Sequence, residues 1–455
     1  MDIKKSQIFI FSFLLLSFFS CNLFRKPDNT SNRDKFEVIA DDSLLSLVQY
    51  RTTLYFTQGA EPVSGMARER IHIDGIYPGN DMNVVTTGGT GFGIMAIVAG
   101  MERGFISRKE GTEQLGKMVD FLNRADRFHG AFPHWLYGET GKVKPFSKKD
   151  NGADIVETAY LMQGLLVARQ YLRKGDPEEQ KLAAAIDTLW REVEWDWFTK
   201  GGENVIYWHW SPEFQWEMNH QVRGYNECLI LYVLAASSPT HPVEESVYHE
   251  GWARGGAINT VAGKYGYILR LRHNGAEEYG GPLFWAHYSY LGLDPRNLKD
   301  RYADYWQENV NHVLINWKWC TDNPGRHSGY STACWGLTAS YSPSGYFAHR
   351  PGDETDLGVI SPTAALSSIP YSPDKSMDAL KHFYYNLGDK LWGKYGFYDA
   401  FSIEKNWFPQ RYLAIDQGPI PVMIENYRTG LLWNLFMSCP EIITGLKKLG
   451  FEFGY

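Results

Sequence analysis

The 455-residue chain has only five cysteines, and no two of them form a CxxC pair. This absence argues against a cysteine-bound zinc site or a dithiol redox centre. The chain also lacks an excess of positive charge, because 45 Lys and Arg stand against 52 Asp and Glu, a formal net charge of −7. Such a charge balance argues against nucleic acid as a partner.

The short motifs of several enzyme classes are missing as well. There is no HExxH, no GxSxG nucleophile elbow and no Walker loop. The glycine-rich stretch TTGGTGFG (86–93) follows no recognisable strand pattern, so we interpret it as the entry to a helix. The histidines are too scattered for ligand spacing, and we therefore expect no metal site.

Long apolar runs are absent after the N-terminus, so no later segment is expected to span a bilayer. Two lysines precede an apolar run, Ile8 to Phe19, that ends at Ser20-Cys21 and resembles a bacterial lipobox. This pattern predicts a lipoprotein signal peptide over 1–20, lipidation of Cys21 and a polar tether over 21–38. The protein would then be held by its lipid alone, at a bacterial outer membrane facing the periplasm or the cell surface. The alternative is an ordinary signal peptide with a coincidental cysteine.

Two classes of helical segment alternate along residues 39–455. One class is apolar on nearly all sides and the other is amphipathic, as expected for buried and outer helices. This alternation predicts an all-α fold, an (α/α)6 barrel forming a single catalytic domain. A helical solenoid is the main alternative, but no fixed-period repeat supports it. The apolar segments are 90–101, 154–168, 222–236, 360–368 and 420–436, and the amphipathic ones are 107–123, 177–196, 298–317 and 373–391.

Aromatic residues are plentiful, with 16 Trp, 28 Tyr and 25 Phe. They indicate either an aromatic-rich core or a carbohydrate cleft in which flat rings stack on sugars. Tryptophans recur in the stretch 207–220, where their alternation suits a strand or an extended loop. The candidate substrate-binding side chains in this and neighbouring loops are Trp208, Trp210, Trp216, His220, Arg223, Trp285, His287, Tyr288 and Trp335.

Three carboxylates, Asp150, Asp154 and Glu157, recur at spacings of four and three, which would place them on one face of a helix. We expect Asp150 or Asn151 to cap that helix. Burying three carboxylates is costly unless they are paired or used. They therefore predict a site for a cation, a metal ion or a hydroxyl-rich sugar.

Glu227 is the acid of an otherwise apolar segment, HQVRGYNECLILYVLAA. It is either a structural partner of Arg223 or an acid whose pKa is raised by apolar surroundings, as a glycosidase proton donor requires. Asp416, in AIDQGPI, either caps a helix or activates water. Glycoside hydrolysis uses two such acids, one protonated and one ionised. We expect Glu227 to be the first, and Asp416 or Asp150, in a polar setting, to be the second.

Several segments together resemble glycoside hydrolase family 144, the bacterial β-1,2-glucanases among the glycoamylase-like proteins. They are TTGGTGFG, DNGADIVETAYLMQGLL, NHQVRGYNE, GPLFWAHYSYLGLDP and AIDQGPI. The resemblance implies an (α/α)6 barrel, no metal or organic cofactor, and hydrolysis with inversion at the anomeric carbon. By motif position Glu227 matches the candidate acid of the family, and the other cleft acids match Asp150, Asp154, Glu157 and Asp416.

The resulting hypothesis is a lipoprotein that hydrolyses β-1,2-glucan to sophorose or short oligosaccharides. Its rivals are a glycan-binding lipoprotein without catalysis and a polysaccharide lyase on the same barrel. A lyase acting on uronic acids would need a basic cleft, whereas these loops are acidic. Endo or exo action, the oligomeric state, and whether Cys320 and Cys334 form a disulfide stay open.

Overall fold

The computed structural model describes residues 36–454, so the predicted signal peptide, the lipidated Cys21 and most of the tether lie outside the described residues. Residues from Ile39 onwards form one compact unit. Its α-helices are α1 (Asp41–Thr57), α2 (Thr87–Glu102), α3 (Arg108–Leu122), α4 (Ile155–Leu172), α5 (Pro177–Arg191), α6 (Leu229–Ser237), α7 (Tyr305–Asp322), α8 (Pro362–Leu366), α9 (Pro373–Lys381), α10 (Gly388–Leu391), α11 (Ala414–Gln417), α12 (Pro419–Arg428), α13 (Leu431–Met437) and α14 (Pro440–Lys448).

The helices divide into inner and outer ones, as the alternation of patterns predicts. Nearly every residue of α2, α4, α6 and α8 is buried. The helices that follow them, α3, α5, α7 and α9, bury only one face. An inner ring surrounded by an outer ring is the arrangement of an (α/α)6 barrel, which confirms the predicted fold class.

Inner helices α2 and α4 approach each other so closely that glycine is required at their contact. A Cβ atom on Gly91 would lie 2.1 Å from the carbonyl oxygen of Tyr160, and one on Gly164 would lie 2.1 Å from the carbonyl oxygen of Gly91. Both distances are far inside van der Waals contact. The two glycines therefore fix how α2 and α4 lie side by side, and with them the loops at the helix ends.

Short strands occupy the connections between helices, and the sequence patterns predicted an extended segment only in the stretch 207–220. They are β1 (Arg70–His72), β2 (Val84–Thr86), β3 (Trp135–Tyr137), β4 (Val143–Lys144), β5 (Ala153–Asp154), β6 (His209–Trp210), β7 (Gly263–Lys264), β8 (Tyr267–Ile268), β9 (Ala339–Ser342), β10 (Gly345–Ala348), β11 (Trp392–Gly393), β12 (Gly396–Phe397) and β13 (Arg411–Leu413). The pairs β1–β13 and β5–β6 and the sheet β2–β3–β4 are antiparallel. Across residues 36–454 no sheet exceeds three strands.

The N-terminus of α4 differs from the prediction. Asp154 is the capping residue, because its Oδ1 accepts the N–H groups of Val156 and Glu157 at 3.0 and 2.9 Å. Asp150 lies in the loop before β5, so the three acids do not share a helical face. Asp154 is the cap because it directly precedes the first helical residue. From there its carboxylate reaches the N–H groups of the first turn, which have no partner within the helix.

Other local features correct or extend the sequence patterns. Helix α6 begins at Leu229, so Glu227 lies in the turn before the helix rather than on it. Cys320 and Cys334 are buried free thiols, so the alternative of a disulfide between them does not hold. Among the described residues, no helix has the length and apolar character needed to cross a membrane.

Candidate active site

A cavity of about 900 Å³ opens where the segments leading into several inner helices converge. Thr86 before α2, Glu157 in the first turn of α4, Glu227 before α6 and Ile415 of α11 all line it. The segments that precede several inner helices thus build one cleft. The cavity is within the size range of small-molecule sites.

Glu157 is held at the cavity wall by the N-terminus of α2. Its Oε2 accepts the N–H of Gly88 at 2.8 Å. A Cβ atom on Gly88 would lie 2.5 Å from the same oxygen, so glycine is needed for this approach. Burial raises the pKa of Glu157 to about 7, although nearby His134 favours the charged form. Glu157 thus changes its charge in the neutral range.

His134 connects the cavity to the capping aspartate behind it. Its Nδ1 is 2.8 Å from Asp154 Oδ2, while Asp154 Oδ1 caps α4. Burial disfavours a charged His134, but the carboxylates of Glu157 and Asp154 prevail and raise its pKa to about 9. His134 is therefore positively charged at neutral pH, beside the carboxyl groups of Glu157 and Asp154.

Glu227 also lines the cavity, and its main-chain carbonyl is held by two hydroxyl groups. Its carbonyl oxygen accepts hydrogen bonds from the hydroxyls of Ser289 and Tyr160. Burial, and then the charges of Glu157 and Asp154, raise the pKa of the Glu227 carboxyl to about 7. A carboxylic acid that keeps its proton close to neutral pH is what a general acid requires.

Asp416 lies behind the cavity rather than in its lining. It is 1% exposed, and the hydroxyl of Tyr288, which does line the cavity, is 3.5 Å from its Oδ1. Burial and the neighbouring Asp399 carboxylate raise the pKa of Asp416 well above its usual range. Asp416 is therefore more buried than a base in a solvated setting would be, on a helix, α11, that packs against α2.

Asp150, the other predicted base, does not line the cavity. It is buried, with its Oδ2 3.5 Å from His209 Nε2. Burial and the Asp154 charge raise the pKa of Asp150 to about 7. Its role as the base stays a prediction. Of the three clustered acids, Glu157 reaches the cavity, because only it lies on the helix whose first turn faces the opening.

Among the described residues, His134, Asp150 and Asp154 have atoms that could hold a metal ion, and these atoms lie within 4.8 Å of one another. Two of the three side chains are already hydrogen-bonded to each other, His134 through Nδ1 and Asp154 through Oδ2.

Four of the predicted site residues line the cavity: Glu157, Trp208, Glu227 and Tyr288. His220 stacks on Trp208 with ring centroids 5.1 Å apart, outside the lining. Arg223 donates to Gln221 and to the carbonyl of Glu250, so it neither lines the cavity nor pairs with Glu227.

The remaining aromatic candidates lie elsewhere. Trp210 and Trp216 belong to a surface group around Trp197, apart from the lining, although β6 does confirm the extended conformation predicted there. Trp285, His287 and Trp335 are buried and do not line the cavity, so their predicted substrate-binding role has no support from the cavity geometry. Two of them make hydrogen bonds inside the core. His287 Nε2 is 2.9 Å from the Ser368 hydroxyl, and Trp335 Nε1 donates to the Lys375 carbonyl.

The cavity also contains residues that the sequence patterns did not indicate. They come from short loops and strands whose sequences have no hydrophobic periodicity. The high aromatic content of the chain was therefore the only sequence feature that pointed to them. The main ones are Glu69, Arg70, His134, Trp135, Phe146, Phe284, Tyr341, Tyr346, Trp407 and Arg411.

A helical barrel with acids and aromatic rings around one deep cavity is the architecture of the helical-barrel glycoside hydrolases. A family model described as "Putative glucoamylase" matches residues 219–440. The chain is 63% identical to an endo-β-1,2-glucanase from Chitinophaga pinensis, whose structure was solved with sophorotriose and glucose. The match covers 91% of this chain and 99% of that one, with a TM-score of 0.91.

Two further relatives agree with this result. A "putative glucoamylase" from Bacteroides caccae is 60% identical, with a TM-score of 0.90 over 91% of this chain and 100% of that one. An exo-β-1,2-glucooligosaccharide sophorohydrolase from Parabacteroides distasonis is 45% identical over 427 residues, 90% of this chain. The chain spans 58% of the length of that curated relative. The protein belongs to glycoside hydrolase family 144, as its motifs suggested.

Proposed function

We propose that the protein hydrolyses β-1,2-glucan and releases sophorose or short β-1,2-gluco-oligosaccharides. The observation that carries the proposal is the identity of 63% to an endo-β-1,2-glucanase over 99% of that chain. The cavity supplies the chemistry for such a reaction, because two of its lining residues, Glu157 and Glu227, have pKa values raised to about 7.

In this proposal Glu227 donates the proton to the leaving oxygen. It lies in the cavity wall with its main chain fixed by Ser289 and Tyr160, so the carboxyl has a defined position. Asp416 is favoured over Asp150 as the base, since Asp416 reaches the cavity through the hydroxyl of Tyr288 while Asp150 faces His209. Attack by a water activated in this way inverts the anomeric carbon.

Aromatic rings on several sides of the cavity would hold the glucose units. Trp135, Trp208, Tyr346 and Trp407 come from four different segments of the chain. Arg70 and Arg411 lie on the paired strands β1 and β13 at the same wall and can donate to sugar hydroxyls. Rings and charged donors together favour a hydroxyl-rich, uncharged ligand.

The test is reducing-sugar release from linear β-1,2-glucan by the wild-type protein and by Glu227→Gln. We expect hydrolysis by the wild type and a loss in the variant. Glu308→Gln is the matched control, because burial also raises the pKa of Glu308 to about 7 but this residue lies outside the cavity. Binding of the glucan without any release of sugar by the wild type would instead indicate a glycan-binding protein.

A time course of product length distinguishes endo from exo action. Sophorose as the product from the first minutes would show exo cleavage, and a spread of lengths would show endo cleavage. Linear β-1,4-glucan serves as the control polymer, and equal hydrolysis of both would contradict the proposed linkage specificity.

We also propose that the protein is anchored to a bacterial membrane by a lipid on Cys21, as its lipobox-like sequence predicts. Metabolic labelling with a fatty acid should mark the wild type but not Cys21→Ser. Release of the variant into the soluble periplasmic fraction, with unchanged hydrolysis, is the expected result. Labelling of the variant would contradict the anchor.

A further inference from the structure

A group of aromatic rings lies on the surface around Trp197, outside the cavity lining. Trp197 belongs to a 3-10 helix (Trp195–Thr199), in which residues three apart share a side. Trp195 and Phe198 share the side that faces the core and are buried, whereas Trp197 is 39% exposed. The same short helix thus buries two of its rings and leaves the third in contact with water.

Three further rings from other segments hold Trp197 in place. The imidazole of His129 stacks on it, with centroids 3.7 Å apart and planes inclined by 12°. Trp210 meets it edge-on at 6.2 Å, and Trp216 lies 6.3 Å away at 33°. We call Trp197, His129, Trp210 and Trp216 the Trp197 surface. All four are at least partly exposed, and a contiguous group of exposed rings marks an interaction site better than a single one does.

One hairpin, residues 207–221, connects the Trp197 surface with the cavity. Its arms are joined at the base, where the N–H of Trp208 donates to the carbonyl of His220 at 2.9 Å. Trp208 lines the cavity, while Trp210 and Trp216, further along the hairpin, belong to the Trp197 surface. The two groups of rings are therefore carried by the same local structure.

The backbone around these rings adopts an unusual conformation. Of the ten non-glycine residues with positive φ in the described part of the chain, four lie here: His129, Lys200, Gln215 and Asn219, with φ between 47° and 53°. Side chains disfavour this left-handed region, which persists where the surroundings enforce it and is concentrated at ligand sites. Lys200 Nζ also donates to Asn219 Oδ1 at 3.0 Å and so ties the 3-10 helix to the hairpin. The rings are thus held in position before any ligand binds, which lowers the entropy cost of binding.

Charged side chains that adjoin these rings in sequence pair with one another. Arg127 donates to Glu192 at 2.6 Å, and Lys149 donates to Glu217 at 2.7 Å. Each pair contributes one charge of each sign, so the pairs supply hydrogen-bonding groups without a strong field of either sign. Such surroundings favour an uncharged, hydroxyl-rich ligand over a charged one.

We propose that the Trp197 surface is a second binding site for β-1,2-glucan, which takes a part of the polymer that lies outside the cavity. This inference rests on the proposed function, because it names the same substrate. Since one hairpin carries rings of both sites, a single long chain can occupy both, and the two contacts then reinforce each other. A short oligosaccharide occupies the cavity alone.

The first test measures binding without hydrolysis, as retardation of the protein in native gels that contain linear β-1,2-glucan. Glu227→Gln is the parent, because it removes the proposed acid and leaves the Trp197 surface intact. Adding Trp197→Ala or Trp216→Ala should weaken binding of the polymer roughly fivefold. Adding Trp197→Phe, which keeps a ring, should weaken it less.

Tyr427→Ala is the matched control for the gels. Tyr427 is 43% exposed on α12, outside both the cavity lining and the hairpin, and its removal should leave the retardation as in the parent. Equal retardation of the parent and of both tryptophan-to-alanine variants would overturn the proposal.

The second test compares a long with a short substrate in the active protein. Trp197→Ala should raise KM for the polymer roughly fivefold and keep KM for a short β-1,2-gluco-oligosaccharide within about twofold of the wild type. Trp208→Ala should raise both values, because its ring lines the cavity. An equal rise for both substrates in Trp197→Ala would show that this ring only supports the cavity, which contradicts the proposal.

The two tests separate failure of this inference from failure of the proposed function. A wild-type protein that hydrolyses no β-1,2-glucan refutes the function, and the gels still decide whether the Trp197 surface binds the polymer. Hydrolysis by the wild type, with retardation and KM unchanged in Trp197→Ala, refutes the second site alone. Wild-type dimers that Trp197→Ala dissociates, with polymer binding unchanged, would show a contact between copies of the chain instead.

Discussion

Replacing Glu227 by glutamine should change activity and stability in opposite directions. Glutamine has nearly the same shape and keeps the main-chain bonds to Ser289 and Tyr160, but it has no acidic proton to transfer to the leaving oxygen. Loss of a general acid costs roughly 10²–10⁴ in rate, which corresponds to about 3–5 kcal/mol in the activation barrier. We expect kcat to fall by that factor and KM to change little.

The stability effect follows from the position of the carboxyl. Burial raises the pKa of Glu227 from 4.5 to about 7, so ionisation destabilises the folded state as the pH rises through this range. The full shift corresponds to about 3 kcal/mol, and partial exposure at the cavity wall reduces this to about 1–2 kcal/mol. Glutamine avoids the penalty. The free energy of unfolding of the variant should therefore exceed that of the wild type above pH 7 and equal it near pH 4.

Urea unfolding at pH 4, 6 and 8, together with kcat from reducing-sugar release, measures both quantities. In the wild type the same titration should produce an alkaline limb of the kcat/KM profile with a midpoint near pH 7, because Glu227 must be protonated to act. A variant that is less stable than the wild type at pH 8 would refute the argument from burial. A variant with full activity would refute the role of Glu227.

Four further variants test other parts of the structure. Gly91→Ala should lower the free energy of unfolding by about 3 kcal/mol, measured by urea titration, because its Cβ would lie 2.1 Å from a carbonyl oxygen of α4. Gly88→Ala should displace Glu157, because a Cβ atom at this position would lie 2.5 Å from Glu157 Oε2. We expect kcat/KM to fall at least tenfold with little change in Tm. An unchanged kcat/KM would show that Glu157 needs no fixed position. Trp208→Ala should raise KM several-fold and leave Tm unchanged, because this ring lines the cavity. Trp335→Ala should lower the free energy of unfolding by about 3–5 kcal/mol and leave KM unchanged, because this ring fills the core. The reverse pattern would contradict the placement of the two rings.

The barrel was predictable because the hydrophobic pattern of each helix can be read from its own sequence. Helix α2 is apolar on every side and helix α3 has a capping box at Ser107 and one apolar face, so pattern alone distinguishes an inner from an outer helix. The site was less predictable, since its residues come from connections whose course depends on distant contacts. Trp208 and Trp335 both occur in aromatic-rich stretches, yet one lines the cavity and the other fills the core.

The pairing of β1 with β13 affects when this protein can fold during its synthesis. Arg70 lies opposite Leu413, so one wall of the cavity joins the beginning of the barrel to its end. Closing a loop of that length costs about 5 kcal/mol of chain entropy, and it cannot happen during synthesis until residue 413 has emerged. Since Arg70, Glu227 and Arg411 line the same cavity, a partly made chain has no complete site. Catalysis can therefore begin only after the barrel is almost entirely synthesised, and its onset during refolding would report closure of the ring.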